Sequence, residues 1–230
     1  EYYFNRGFIR FRIVSNQVNL SNNNKDILIT ISVDEGKKYE FGDMKVFGNE
    51  VLDESTLKTE ISRLLQPGQI FSREKIQQSE ILIKSMLGEE GYAFPNVASI
   101  PVIDDKTQIV DVNYRLDIGK RSIVRRITIS GNTSTNDEVY RRELRQYESS
   151  LHKQSAIDRS KIRLQRLKYV DDVEIVKTRV AGVDDMIDIT FKIKERKAGE
   201  FRISAGWSDT DGAIFDIDLK QDNFLGGGKN

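Results

Sequence analysis

Residues that commonly carry enzyme chemistry are sparse in this chain. It has no cysteine and one histidine, His152, so it offers no thiolate nucleophile and no histidine pair for a metal ion. Acidic pairs occur at Asp104-Asp105, Asp171-Asp172 and Asp184-Asp185, at predicted element ends where solvated turn carboxylates are expected. The sequence therefore predicts no enzyme and no catalytic residue.

Two short motifs invite a ligand-binding interpretation. Gly226-Gly227-Gly228-Lys229 lacks the first spaced glycine of a phosphate loop and the Ser or Thr that follows its lysine. Asp209-Thr210-Asp211-Gly212 resembles the start of a calcium loop, but the distal glutamate is missing. Both are interpreted as turn or hairpin-end residues, so no cofactor-binding or metal-binding residue is predicted, and no cofactor.

Composition favours a protein partner over a nucleic acid. The 36 basic and 36 acidic residues cancel, whereas nucleic-acid-binding domains present a net basic face to phosphates. No apolar run approaches the roughly 18 residues of a membrane helix, and the first residues do not form a signal peptide. We expect either a soluble protein or an internal piece of a longer one.

A repeat organises the elements that must position any binding surface. Gly36 and Gly119 are 83 residues apart, and Gly48 and Gly131 show the same spacing. Before each first glycine, apolar residues recur at every second position, with Ile27, Ile29, Ile31 and Val33 separated by Leu28, Thr30 and Ser32, and with a similar alternation at Val110–Leu116. This alternation is typical of strands, and two landmarks at one offset indicate a repeated module.

Helical patterns follow each Gly-Asn pair. The first helices are predicted from about Asp53, with Leu57 and Ile61 on the apolar face, and from about Ser134 through Tyr147. The second helices are predicted over about 72–90 and 155–168, and two strands close each module. Ser134–Asp137 and Ser155–Asp158 have the pattern of capping boxes.

The two ends of the chain depart from this repeat. Arg6-Gly7-Phe8 lies 84 residues before Glu90-Gly91-Tyr92, so residues 1–38 are predicted to be the end of a module that begins before Glu1. At the other end, Phe201, Ile203, Ala205 and Trp207 alternate with polar residues, as do Phe215, Ile217 and Leu219 after a turn. One-sided alternation of this kind is typical of a membrane barrel hairpin.

These features together resemble the POTRA domain and the BamA family of outer-membrane β-barrel assembly proteins. The matching residues are Gly48-Asn49, Gly131-Asn132, Gly7-Phe8 and Gly91-Tyr92, and Lys194-Glu195-Arg196 and 221–226 resemble the junction and first barrel hairpin. The resemblance covers essentially the whole chain. The early POTRA units and nearly all of the barrel are absent.

The resemblance implies an α+β fold of tandem POTRA domains, each β-α-α-β-β with two helices on a three-stranded mixed sheet. Residues 1–38 would be the C-terminal part of one domain, 39–118 and 119–196 two complete domains, and 197–230 the first antiparallel hairpin of a transmembrane β-barrel. The last complete domain would be the barrel-proximal one.

The resemblance also implies a function and a location. The chain would be a periplasmic scaffold, attached to the bacterial outer membrane in the full-length protein, that binds nascent outer-membrane proteins and BamD-like accessory lipoproteins during barrel assembly. Two alternatives stay open: the POTRA region of a two-partner secretion transporter, and a free-standing peptide-binding module.

Two sets of residues are candidate binding sites under this interpretation. The barrel-proximal domain of the family docks an accessory lipoprotein, and the predicted helix that bears Arg141, Arg142, Glu143, Arg145 and Glu148 is the candidate surface. Its alternative is a solvated helix face with ion pairs between successive turns.

The second candidate site is a sheet edge, where an extended client peptide can add a strand. The predicted client edge strands are Phe11–Val18 and Val173–Val180, with Phe11, Ile13, Val18, Val173, Ile175 and Val180 as their apolar residues. The equivalent middle strand contains Pro101, which removes a backbone donor. The alternative is that neighbouring segments already cover these edges.

Overall fold

The computed structural model describes residues 1–20, 26–196, 199–208, 210, 212–221, 223 and 226–227. Asp209 and Asp211 of the calcium-like motif, and Gly228 and Lys229 of the glycine-rich motif, lie outside these residues. The chain forms two compact units: unit 1 comprises Glu1–Leu87 and Phe94–Gly119, and unit 2 comprises Gly88–Ala93 and Lys120–Asn230.

Unit 1 contains a two-stranded sheet and one β-α-α-β-β module. A short 3-10 helix, Phe4–Arg6, precedes an antiparallel pair of strands. The module's sheet has the order β3-β5-β4, with β3 parallel and β4 antiparallel to the central β5. The elements are β1 (Arg12–Leu20), β2 (Ile27–Asp34), β3 (Glu40–Phe47), α1 (Glu54–Ser62), α2 (Arg73–Glu89), β4 (Asn96–Asp104) and β5 (Ile109–Asp117).

Unit 2 repeats the module and adds a hairpin. Its three-stranded sheet has the order β6-β8-β7, again with one parallel and one antiparallel pair around the central strand. The elements are β6 (Ile123–Ser130), α3 (Asp137–Arg141), α4 (Gln154–Gln165), β7 (Val170–Val180), β8 (Val183–Glu195), β9 (Gly199–Ser208) and β10 (Gly212–Gln221). The predicted α+β fold with mixed three-stranded sheets is confirmed.

Each module buries one face of its sheet under its helices. In β5 the buried side chains alternate along the strand and include Val112 and Tyr114, which pack with Leu57, Ile61 and Ile83 in the core of unit 1. In β8, Ile187, Ile189 and Phe191 are buried in the same manner. Each fully buried aliphatic or aromatic side chain contributes about 1.5–3 kcal/mol to folding, so these alternating residues supply much of the driving force.

The hairpin of β9 and β10 has a continuous antiparallel register from Gly212 opposite Ser208 to Gln221 opposite Gly199. Ile203, Trp207, Phe215 and Ile217 are all more than 60% exposed. Residues on one face of such a hairpin share an orientation because side chains alternate along a strand. These four apolar side chains therefore lie outside any core of unit 2.

The structure corrects the predicted start and length of two helices. α1 begins as expected, since the Asp53 carboxylate accepts from Thr56 N at 2.8 Å. The capping boxes at Ser134 and Ser155 are wrong, because α3 and α4 have Asn136 and Lys153 as N-caps without a side-chain capping bond. α3 also ends at Arg141, not near Tyr147. At α4 the Glu89 carboxylate takes the place of the local cap, as described below.

Candidate binding surfaces

The outer edge of β3 is closed by the chain's own backbone. Phe41 N donates to Gln69 O at 2.8 Å, and Gly68 N donates back to Phe41 O at 2.8 Å. Phe71 N donates to Tyr39 O at 2.9 Å. Because a strand adds to a sheet through free backbone donors and acceptors, the start of this edge, at Tyr39 and Phe41, is already occupied.

The equivalent edge of β6 is closed in the same way in unit 2. Val124 N donates to Ser150 O at 2.9 Å, Ser149 N donates to Val124 O at 2.7 Å, and His152 N donates to Ser122 O at 2.9 Å. The segment before the second helix thus runs along the first strand of each module. The opposite edges, formed by β4 and β7, have no such segment along them and are the candidate sites for an added strand.

Two backbone positions on the β4 edge have no free N–H donor. Ser99 N donates to Glu80 Oε1 of α2 at 3.0 Å, and Pro101, two residues further along the strand, has no N–H. Successive outward-facing backbone groups lie two residues apart in a strand. The middle of β4 is therefore a poor template for an added peptide.

β7 keeps the donors that β4 lacks. Pro101 lies opposite Val112, and Lys177 lies opposite Ile189 at the equivalent place in unit 2. Within the described part of the chain, β8 is the one strand paired with β7. Lys177 provides a backbone N–H where β4 has proline, so the 11-residue β7 is the more complete edge.

The predicted client residues on β7 differ in what they expose. Val173 is fully buried, whereas Ile175 and Val180 are half-buried. The Lys177 ammonium donates to Ala93 O at 3.1 Å and to Gln154 Oε1 at 3.2 Å, and burial lowers its pKa. A peptide added here would be bound mainly through backbone pairing, with Val173 remaining in the core.

On the first sheet, Phe11 is not part of the edge strand. β1 begins at Arg12, and the Phe11 ring stacks on Tyr3 with the ring centroids 4.1 Å apart. Ile13 and Val18 lie in β1 and are 59% and 64% exposed. The prediction for Phe11 is corrected because aromatic packing near the 3-10 helix holds it before the strand begins.

The five charged candidate residues lie mostly on a loop and not on a helix. Arg141 is the last residue of α3, and the other four follow it. Arg141 pairs with Asp137, and its Nη2 donates to Ile127 O at 3.2 Å, while Glu148 Oε1 accepts from Ile127 N at 2.7 Å. Arg141 and Glu148 therefore extend the covered part of the β6 edge to Ile127.

Glu143 is recessed, whereas Arg142 and Arg145 stay closer to the surface. The Glu143 carboxylate is 2.6 Å from the Arg163 guanidinium, and its side chain is 16% exposed. Arg145 Nη1 donates to the carbonyls of Arg142 and Leu144. These residues therefore have different local partners.

Two buried polar side chains hold this loop in place. Gln146 Nε2 donates to Ser150 Oγ and Leu151 O, and its Oε1 accepts from Lys153 N at 2.9 Å. Arg145 N donates to Ser160 Oγ of α4 at 2.8 Å. Buried groups satisfied in this way fix a loop that has no regular backbone pattern.

Sequence reasoning missed Tyr147 as a surface residue. It was assigned to the apolar face of a helix, but the helix ends earlier and Tyr147 is 63% exposed. Tyrosine and arginine are enriched among the residues that dominate binding energy at protein interfaces. An exposed tyrosine between Arg145 and Glu148 makes this loop a stronger candidate surface than its charges alone.

Other kinds of site were considered in the described part of the chain. It contains no group of three or more His, Cys, Asp or Glu side chains that could hold a metal ion. None of its helices is both long and apolar enough to cross a membrane.

Comparisons with known proteins match this architecture. The model of the POTRA family, described as a surface antigen variable number repeat, matches residues 39–119 and 122–196. The outer membrane protein assembly factor BamA of Neisseria meningitidis is 33% identical over all of this chain, and BamA of Buchnera aphidicola is 31% identical. The chain spans 29% and 37% of these two relatives.

Solved structures agree with the sequence comparison. A crystal structure of Haemophilus influenzae BamA POTRA3-5 has a TM-score of 0.77 and 31% identity, covering 84% of this chain and 76% of that one. BamA from Haemophilus ducreyi lacking POTRA domains 1-3 has a TM-score of 0.67 and 33% identity, covering 83% of this chain and 36% of that one. Two repeated β-α-α-β-β modules and these matches lead to one conclusion: the chain belongs to the POTRA family.

Proposed function

We propose that this chain is a periplasmic scaffold region of an outer-membrane protein assembly factor. In the full-length protein it would be attached to the outer membrane and would bind nascent outer-membrane proteins and accessory lipoproteins. The relatives named as BamA support the assembly role.

The observation that carries this proposal is the asymmetry of the module sheets. In both modules the chain covers the start of the β3 or β6 edge with its own backbone, while the opposite edge has no strand partner among the described residues. β7 keeps the central donor that Pro101 removes from β4. A strand-forming client would therefore pair with β7 in preference to β4.

A backbone substitution in β7 tests this preference. We expect Lys177→Pro to weaken binding of a peptide copied from an outer-membrane β-strand at least about tenfold, because proline removes the ladder donor. The measurement is a titration followed by amide chemical shifts of β7. Lys177→Ala is the matched control, since it removes the same side-chain contacts and keeps the N–H.

The Lys177→Ala control shows whether weaker peptide binding comes from the missing side chain or from the missing backbone donor. If Lys177→Ala weakens binding as much as Lys177→Pro, the side chain and not the edge is responsible. Shift changes confined to β4 in the unaltered chain would contradict the preference for β7.

The loop that bears Arg142, Arg145 and Tyr147 is the proposed docking surface for an accessory lipoprotein, with Arg141 and Glu148 at its rim. The contacts of Arg141 and Glu148 with Ile127 mean that charge reversal there would also disturb β6. Tyr147 is the cleaner test because its exposed side chain is not needed for the loop contacts of Gln146.

We expect Tyr147→Ala to reduce co-purification of the lipoprotein about tenfold or more, which is typical of a truncated interface anchor, without changing the unfolding midpoint. Ile162→Ala is the matched control, because Ile162 is a large apolar residue of α4 that is 49% exposed. Unchanged co-purification with Tyr147→Ala would contradict this assignment.

A further inference from the structure

Two short segments, residues 5–7 in unit 1 and residues 89–91 in unit 2, make equivalent contacts 84 positions apart. Both end in glycine, and each lies against the second helix of a module and the start of its first strand. We call them docking segments. The repeated glycine was visible in the sequence, but the contacts of the residues before it were not.

The backbone contacts of the two docking segments are the same. Tyr39 N donates to Gly7 O at 2.9 Å, and Ser122 N donates to Gly91 O at 2.8 Å. Gly7 and Gly91 have φ of 90° and 100°, a region that L side chains rarely adopt. A Cβ on these glycines would lie 3.0 Å from Ile70 Cγ2 and 2.9 Å from Leu151 Cδ1, so glycine is required for the approach.

In unit 1 the docking segment caps α2 through a neutral amide. Asn5 Oδ1 accepts from Glu74 N at 3.0 Å, and Asn5 Nδ2 donates to Glu74 Oε2 at 3.4 Å. The amide can do both because it carries an acceptor and donors on one group. A carboxylate at this position would place two negative charges together.

In unit 2 the equivalent residue is Glu89, whose carboxylate accepts two hydrogen bonds from Ser155. Glu89 Oε1 accepts from Ser155 N, and Glu89 Oε2 accepts from Ser155 Oγ at 2.8 Å. The first turn of α4 contains no acidic residue, whereas the first turn of α2 contains Glu74. A carboxylate therefore satisfies both donors and is favoured by the positive end of the helix dipole.

We propose that the first residue of each docking segment, Asn5 or Glu89, is a specificity determinant that matches the segment to the helix it caps. The amide fits a helix that begins with a carboxylate, and the carboxylate fits a helix that begins with a hydroxyl. The surface at the start of each second helix is then a selective interaction site for an Asn-x-Gly or Glu-x-Gly segment. Exchanging the two residues produces a mismatch while the glycine contacts remain.

The capping role is tested in the whole 230-residue chain by amide hydrogen exchange. Glu89→Ala should make the Ser155 amide exchange about fivefold faster, the change expected for loss of a typical N-cap. Glu90→Ala is the matched control, since Glu90 is the adjacent carboxylate and lies 3.5 Å from Arg121. Equal exchange at Ser155 in Glu89→Ala and the unaltered chain would overturn the proposal.

The matching of charges is tested by a rescue experiment at the other segment. Asn5→Glu should make the Glu74 amide exchange faster, because two carboxylates would meet. Asn5→Glu combined with Glu74→Gln should restore protection, because the new amide can donate to the new carboxylate. If Asn5→Glu leaves the exchange of the Glu74 amide unchanged, or if the double variant does not restore its protection, the proposed matching is wrong. If Asn5→Glu alone unfolds the module, the double variant provides the test.

Discussion

At the scale of single residues, His152 occupies the place that Phe71 holds in unit 1. Both are buried, and their backbone N–H groups donate to the equivalent carbonyls of Ser122 and Tyr39. Among the described residues, neither ring nitrogen of His152 has a hydrogen-bond partner. Burial, with the nearby Lys177 ammonium as a second cause, lowers the pKa of His152 to about 4.

This position makes the stability of unit 2 depend on pH. The ordinary pKa of histidine is about 6.5. Between that pH and about pH 4, His152 is therefore protonated more in the unfolded chain than in the folded one. Stability is therefore complete above the unfolded pKa and decreases as the pH falls through this window, by about 3 kcal/mol at most.

We expect His152→Phe to remove this pH dependence, because phenylalanine does not titrate and already occupies the equivalent site in unit 1. Urea unfolding followed by the amide signals of β8, at about pH 7.5 and about pH 4.5, measures the difference. The unaltered chain should lose more stability than the variant at the lower pH. Parallel losses would show that other groups are responsible.

At the scale of elements, each module treats its two sheet edges differently. The segment before the second helix covers the start of β3 or β6, whereas β4 and β7 have no such cover and are potential templates for association. Open edges favour unwanted pairing unless they are blocked. In β4 the block consists of Pro101 and the Glu80 carboxylate on Ser99, while β7 carries neither.

Restoring a donor should open the β4 edge. We expect Pro101→Val to add amide shift changes in β4 when the β-strand peptide is titrated, because valine supplies an N–H and favours strand geometry. Ile100→Val is the control, as it leaves every backbone donor unchanged. The absence of new shifts in β4 would indicate that Glu80 alone is sufficient to block the edge.

At the scale of the whole molecule, the chain consists of two units with separate cores. Leu57 is completely buried in unit 1, and Leu164 is completely buried in unit 2. The function proposed above needs each module to hold its own sheet edges in place. Core stability and edge presentation are therefore linked inside each unit.

We expect Leu57→Ala and Leu164→Ala each to reduce the stability of the affected unit by about 2–5 kcal/mol, since a cavity adds to the lost burial. Amide exchange of β5 reports on unit 1, and exchange of β8 reports on unit 2. The two variants serve as controls for each other. A loss well below this range would mean that the surrounding side chains collapse into the cavity.

The sequence by itself determined the repeated order of elements and the buried face of the central strand in the first module. Alternation at Val110, Val112 and Tyr114 identified the central strand because side chains alternate with a period of two, and this depends only on local spacing. The spacing of Gly48 and Gly131 identified the module. The membership of the POTRA family followed from the same features.

Tertiary structure alone decided how helices are capped and which edges are open. Glu89 caps α4 across 66 positions of sequence, and Glu148 and Arg141 close β6 at Ile127. α3 ends at Arg141 because Gln146 and Ser160 hold the following loop in a non-helical path. Apart from the bond of Gln146 to Ser150, these contacts join residues at least 14 positions apart, so no local pattern encodes them. β7 is the more complete of the two edges opposite the covered strands.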